Sequence, residues 1–499
     1  MFKLNKDILF SILEELKDDS KSLFSCLMVN KLWCETGIPI LWRNPWNYSI
    51  NYSNKEYLFT MIVSYLSNEI KEFLTREGIQ FPSIDSFQIP YVDYLSFCRG
   101  ININAINKMI SIGSSLDYNQ FLLQQEFYSL FMKKFPKLKY LDMRSLKHQI
   151  FYFPEANIRL KSLCELKCDT SMNSSCFYGL ARNCQYIQKL IIVNVKPKAN
   201  NGISKLIQVQ KNLKCFVWID DFDDEYFTDP YNEIFLELGN KADTLNHLDL
   251  FFLYFYGFDY PYTSLQILLP KLHQLKTLIT NEFSYDNDDI LKTFIYNNLE
   301  ILNIGYITIY EASVIIENSG GHLKEISLKP YDFVYSDDNF IKDSLNFICK
   351  IHENCPLIEY LSLAFSPSKC HFIEFEKLLK NCQNLKLLLL ITSNFNTNET
   401  EEEILENGKI LLNILTRSAP PNFNELRFFE DFKFSLYALE EFLENWRGRP
   451  ALTIITSNYF YEEENYQELI NKYKNDGVIK NFKYEYSVNV EDLNFKVSV

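Results

Sequence analysis

The chain of 499 residues, 47% apolar and with a formal charge of −14, exceeds the size at which one hydrophobic core stops growing, so it must divide into domains or stack repeats. Net negative charge repels phosphate backbones and anionic headgroups, which excludes nucleic acid and membrane as expected partners. Twelve cysteines spread over this length are too dilute for a disulfide scaffold and read as reduced thiols of a cytoplasmic or nuclear protein.

The opening residues, MFKLNKDILFSILEEL, are interrupted by Asp7, Glu14 and Glu15, so no secretory leader is expected. The longest apolar run, LFFLYFYGF at 250–258, is half of the roughly 18 residues that a membrane helix needs. Leu4, Ile8, Leu9, Ile12, Leu13 and Leu16 recur at helical spacing and predict an amphipathic first helix. Asp18, Asp19 and Ser20 offer oxygens to cap a second helix through Leu23, Leu27 and Val29. A third short helix around Leu32 and Trp33 is expected to end at Gly37 and Pro39. Three of the five tryptophans, Trp33, Trp42 and Trp46, crowd into CLMVNKLWCETGIPILWRNPW. Three short helices enclose little volume, so this much apolar surface predicts a face for another polypeptide. The competing reading is that the rings staple the module to the next segment of the chain.

Residues 47–90, with KEYLFTMIVSYLSNEIKEFL, predict a helical linker. Beyond it the form L-x-x-L-x-L recurs in FPKLKYLDM, LCELKC, YIQKLII, NLKCFVW, TLNHLDL, QLKTLIT, NLEILNI, HLKEISL, LIEYLSL and NLKLLLL. Their first anchors, from Leu138 to Leu385, lie 24 to 35 residues apart, the length of leucine-rich repeats with insertions. YVDYLSF, at Val92, Leu95 and Phe97, reads as an irregular opening repeat and NFNELRF, at Phe423 and Leu426, as a late one. A strand and a return helix per repeat cannot bury their apolar sides alone and must stack. Cys184, Cys355 and Cys382 each follow Asn and stand three residues before an anchor, which suits a helix-to-strand turn. The end of the chain predicts a helix from about Glu462, stopped by Gly477, and a strand through Val478 to Tyr486. The expected organisation is an α/β protein: a three-helix module at 1–46, a helical linker or cap at 47–90, a curved solenoid at 91–452 and a C-terminal capping segment at 453–499.

The ordered set Leu4, Ile8, Leu9, Ile12, Leu13, Leu16, Leu23, then Val29 and Trp33 in CLMVNKLW, then Leu41 and Trp42, resembles the F-box family. The cysteine-bearing repeats resemble the leucine-rich repeats often joined to it. Asn5 stands where that family usually has Pro, and an Asn still caps a helix. The resemblance implies a substrate-recognition subunit of an SCF-type ubiquitin ligase. In that reading Leu4, Ile8, Ile12, Leu16, Val29, Trp33, Leu41 and Trp42 form the surface for a Skp1-like adaptor, or the core beneath it. A cullin is reached through the adaptor, the repeats bind a protein target, and ubiquitin transfer occurs on another subunit. The alternative is a leucine-rich-repeat scaffold or signalling protein that docks no adaptor.

The sequence carries none of the common phosphate-loop, dinucleotide, serine-hydrolase or metalloprotease signatures, so no catalytic residue and no cofactor is expected. Cys349, His352 and Cys355, with Cys370 and His371, form the densest His/Cys group. Zinc is discounted there, because Cys355 is explained by the repeat offset and Cys349 by apolar helical spacing. Period-two alternation points Tyr140, Asp142, His247, Asp249, Asn303, Ser327, Tyr360 and Ser362 outward as candidate target contacts, and leaves Leu387, Leu389 and Ile391 as an outward apolar stripe that either contributes to target capture or is covered by the insertion TSNFNTNETEEE or the C-terminal segment.

Overall fold

The computed structural model describes residues 5–46, 55–81, 90–144, 146–196, 198–222, 230–253, 260–281, 283, 288–328, 339–391, 400–428 and 432–485. The chain forms two compact units, Met1–Leu238 and Gly239–Val499.

The first unit opens with α1 (Lys6–Glu15), α2 (Ser20–Leu27) and α3 (Lys31–Leu41). Each start has a side-chain cap: Asn5 accepts from the Asp7 amide, Asp19 from that of Ser22 and Asn30 from that of Trp33, which satisfies amides that a helix start otherwise leaves open. α3 does not stop at Gly37 and Pro39 but runs through both. Gly37 is there for packing, since a Cβ would meet Leu27 Cδ2 at 2.5 Å. α4 (Lys55–Ser64) and α5 (Asn68–Arg76) supply the expected helices of the linker.

Strands and helices then alternate. β1 (Gly100–Asn102) precedes α6 (Ile103–Ile110) and α7 (Asp117–Lys134), and β2 (Tyr140–Asp142) precedes α8 (Ala156–Leu160). β3 (Glu165–Asp169), β4 (Lys189–Asn194) and β5 (Cys215–Asp220) are followed by α9 (Ser174–Asn183), α10 (Asn201–Gln208) and α11 (Asn232–Gly239). Successive strands pair in parallel, β1 to β5 in chain order. One expectation is corrected here. Tyr94–Phe97 of YVDYLSF is a 3-10 turn, and the first strand comes only at Gly100.

In the second unit β6 (His247–Phe251), β7 (Thr277–Thr280), β8 (Ile301–Ile304) and β9 (Glu325–Leu328) alternate with α12 (Tyr260–Leu268), α13 (Asp288–Leu291), α14 (Ile309–Glu317) and α15 (Phe340–Asn354). β10 (Tyr360–Ala364), β11 (Leu387–Ile391), β12 (Glu425–Phe428) and β13 (Leu452–Thr456) alternate with α16 (Lys369–Asn381), α17 (Glu401–Ser418), α18 (Leu436–Asn445) and α19 (Glu464–Asn475), before β14 (Ile479–Tyr484). All pair in parallel with their chain neighbours. The protein is thus an α/β strand–helix repeat protein, and among the described residues no helix is long and apolar enough to cross a membrane.

All ten motifs seen in the sequence carry a strand, and their first anchors are buried: Leu138, Leu163, Ile187, Leu213, Leu245, Leu275, Leu299, Leu323, Ile358 and Leu385. Parallel strands with helices returning over them have little face left for water, so these positions fuse into the core of each unit. Cys184, Cys355 and Cys382 cap the C-termini of α9, α15 and α16, donating their amides to Leu180, Ile351 and Leu378. Burial pushes the Cys184 and Cys382 thiols up to about 12 and raises that of Cys355, so these sulfurs act as small apolar groups. All twelve cysteines are free thiols.

Candidate functional site

Leu9, Leu13, Leu23, Ile40 and Leu41 form the core of the three N-terminal helices, with Leu16, Leu27, Leu32, Trp33 and Trp42 packed around it. That core does not use the whole apolar surface. Ile8 is 54% exposed, Val29 57% and Met28 77%, and Ile12 and Phe24 are exposed beside them in sequence spacing. On α1 the pair Ile8 and Ile12 stands one position ahead of the buried pair Leu9 and Leu13, so the apolar arc is wider than its inner contact. On α2 and its end, Phe24 and Met28 repeat the four-residue spacing.

Among the residues expected to dock an adaptor, then, Ile8, Ile12 and Val29 are surface residues. Leu16, Trp33 and Trp42 are half-buried, Leu41 belongs to the core, and Leu4 lies outside the described residues. Phe24 and Met28 went unnoticed in the sequence, although their four-residue spacing was there to find.

The tryptophans divide their work. Trp33 packs on the module core. The Trp42 ring lies 4.7 Å from that of Tyr94, Trp46 Nε1 donates to the Gly100 carbonyl at 2.7 Å, and the Arg99 amide donates to the Arg43 carbonyl at 2.7 Å. Trp42 and Trp46 therefore tie the helices to the first repeat elements. Arg43 also grips Glu14, Nη1 to Oε1 at 2.5 Å and Nη2 to Oε2 at 2.8 Å, and this pairing holds the Glu14 carboxyl below its ordinary range.

In the second unit the outward strand positions form a row in register. His247, Thr277, Ile301, Glu325, Tyr360, Leu387, Glu425 and Thr453 are lateral neighbours. His247 and Tyr360 of this row, and Tyr140 and Asp142 of the first unit, retain solvent exposure. Two positions further along, Asp249 is half-buried, whereas Asn303, Ser327 and Ser362 are buried. The expected apolar stripe is likewise corrected: Leu387, Leu389 and Ile391 are all buried. Leu389 is flanked in register by Ser362 and by Arg427, whose guanidinium is held by Glu425 at 2.6 Å. β11 is thus withdrawn from solvent along its whole length between β10 and β12. Its neighbouring insertion ends in Thr400, which with Glu403 makes a capping box for α17.

One feature of this face escaped the sequence reading. The residues just after the anchors, Lys276, Glu300, Lys324, Glu359 and Lys386, alternate in charge. Glu300 pairs with Lys276 at 3.1 Å and Lys324 at 2.7 Å, and Glu359 with Lys386 at 2.5 Å. The Lys324 and Lys276 hydrogen bonds hold the Glu300 carboxyl low. Of the His/Cys group of the sequence, only Cys349 and His352 come together. Cys355 is a buried cap, Cys370 is exposed, and His371 is buried between Ser344 at 2.9 Å and Ser368 at 2.7 Å.

No family model matches the chain, and no curated protein matches it. Among solved structures it is similar to the complex of Rad7 and Elc1 from yeast, with 16% identity and a TM-score of 0.39, over 71% of this chain and 86% of that one.

Proposed function

We propose that the protein is a non-catalytic substrate-recognition subunit of an SCF-type ubiquitin ligase, working in the cytoplasm or nucleus. In this reading the N-terminal helices are an F-box that docks a Skp1-like adaptor and, through it, a cullin, while the leucine-rich repeats hold a protein target. The observation that carries it is the exposed set Ile8, Ile12, Phe24, Met28 and Val29 on a three-helix module whose core is already filled. Apolar side chains left in water beside a completed core mark a protein contact, and desolvated rings and aliphatic anchors dominate such contacts. The half-exposed His247 and Tyr360 of the strand row are target contacts in this reading.

A second reading, a repeat scaffold without an adaptor, is favoured by the use of Trp42 and Trp46 as staples. Purified full chain mixed with a purified adaptor–cullin complex separates the two. Co-elution in one-to-one ratio supports the ligase subunit. A folded chain that elutes alone overturns it in favour of the scaffold.

A further inference from the structure

Helices α15 and α16 bring together three side chains that no short sequence motif connects. Cys349 and His352 stand three apart on α15, a spacing that puts both on one face, and Glu374 faces them from α16. One ligand atom from each, sulfur, nitrogen and oxygen, lies within 4.8 Å of the other two. Glu374 is the hub. Its Oε2 accepts from His352 Nε2 at 3.0 Å and its Oε1 from Lys377 Nζ at 2.8 Å. All three side chains are half-buried, set back from bulk water but reachable by it.

We propose that Cys349, His352 and Glu374 form a zinc site that clamps the helices of two neighbouring repeats. A thiolate, an imidazole and a carboxylate are the donor types of zinc, and three protein ligands with one position open to solvent is a coordination that zinc adopts. Two anionic ligands balance the dication. Zinc would take the place of the His352–Glu374 hydrogen bond, while Glu374 Oε1 keeps Lys377, which orients the carboxylate. On binding, the Cys349 thiol releases its proton to solvent, and the imidazole leaves one nitrogen unprotonated for the metal and carries its proton on the other. The set differs from the sequence grouping because Glu374 takes the place that Cys355 cannot fill from its buried cap.

The test uses the full chain stripped by chelator and titrated with Co²⁺, then Zn²⁺. The site predicts one equivalent of Co²⁺ with a near-ultraviolet thiolate charge-transfer band, displaced by Zn²⁺. Cys349→Ser removes the band, and His352→Gln or Glu374→Gln weakens binding by about tenfold or more. No thiolate band, or one that survives Cys349→Ser, overturns the proposal. A readout on the unaltered chain guards against variants that misfold: Zn²⁺ slows alkylation of Cys349, followed by peptide mass spectrometry, and leaves exposed Cys370 unchanged. Equal protection of both cysteines, or of neither, also overturns it. These readouts are independent of adaptor binding.

Discussion

Arg43 grips Glu14 with two parallel hydrogen bonds, joining the end of the third helix to the first across 29 residues of chain. A fork-to-fork pair is the strongest form of surface ion pair. Both side chains remain about one-third exposed, which limits its worth. A double-mutant cycle of Arg43→Ala and Glu14→Ala is expected to give a coupling of about 1 kcal/mol at neutral pH. Because the folded state lowers the Glu14 carboxyl, that coupling is present above the ordinary value of 4.5 and vanishes as pH falls through the lower folded value. Urea titrations at pH 7 and pH 3 check both statements.

Surface and core of the N-terminal helices are expected to separate cleanly. Ile8→Asp with Met28→Asp removes adaptor binding and leaves the thermal midpoint in place, since both side chains face water. Leu13→Ala, in the centre of the core, costs about 2–5 kcal/mol and weakens binding only through unfolding. Trp33 and Leu16 pack on that core, so alanine at either position mixes the two effects. Calorimetry alongside a binding assay distinguishes them.

Gly37→Ala is expected to destabilise by about 1–3 kcal/mol, because the added methyl lands 2.5 Å from Leu27 Cδ2 inside a helix pair. Leu27→Ala in the same chain makes room and recovers part of the loss. Denaturant midpoints of the single and double variants measure the recovery.

Asp220 accepts from Trp218 Nε1, Tyr231 Oη and Asn194 Nδ2, each at 2.8 Å, in the interior of the first unit. Removing the carboxylate leaves these buried donors without their acceptor. Asp220→Ala is expected to cost about 3–5 kcal/mol, with altered near-ultraviolet circular dichroism from Trp218. Asp220→Asn, which retains one acceptor oxygen, falls in between.

Two groups of the second unit titrate in opposite senses. Burial raises Asp249 to about 6, so its contribution to stability is full below its ordinary 3.8 and is lost as pH rises through 6. Burial lowers His371 to about 4, so its contribution is full above 6.5 and is lost as pH falls toward 4. In the unaltered protein the slopes oppose each other between pH 4 and 6. Asp249→Asn is expected to leave stability rising with pH in that window, and His371→Gln to leave it falling. Urea midpoints at half-unit intervals decide.

The repeat strands were legible because each anchor leucine answers to a short-range period. β13 escaped because, in register with β12, Ala451 and Thr456 stand where its first and third anchors fall and only Ile454 keeps the large apolar side chain of the pattern. The 3-10 turn at Tyr94–Phe97 deceived because alternation over so few residues does not separate a strand from a tight turn. Ile8 and Met28 stand outside a core whose extent is set by how the three helices pack. The outward stripe of β11 was misread because period two tells which face a side chain takes and not what lies over it. Glu374 meets Cys349 and His352 through the stacking of two repeats, more than twenty residues apart, where local pattern carries no information.

Among the described residues β14 pairs on one side only, with β13, and a register shift interrupts that pairing near Leu452. An unpaired strand margin invites another molecule to add to it and, by repetition, to grow into fibres. Here the margin carries exposed Lys480 and Lys483, and like charges facing across a would-be junction discourage that growth. Replacing both lysines with threonine removes this gatekeeping and turns the last strand into a nucleus for aggregation.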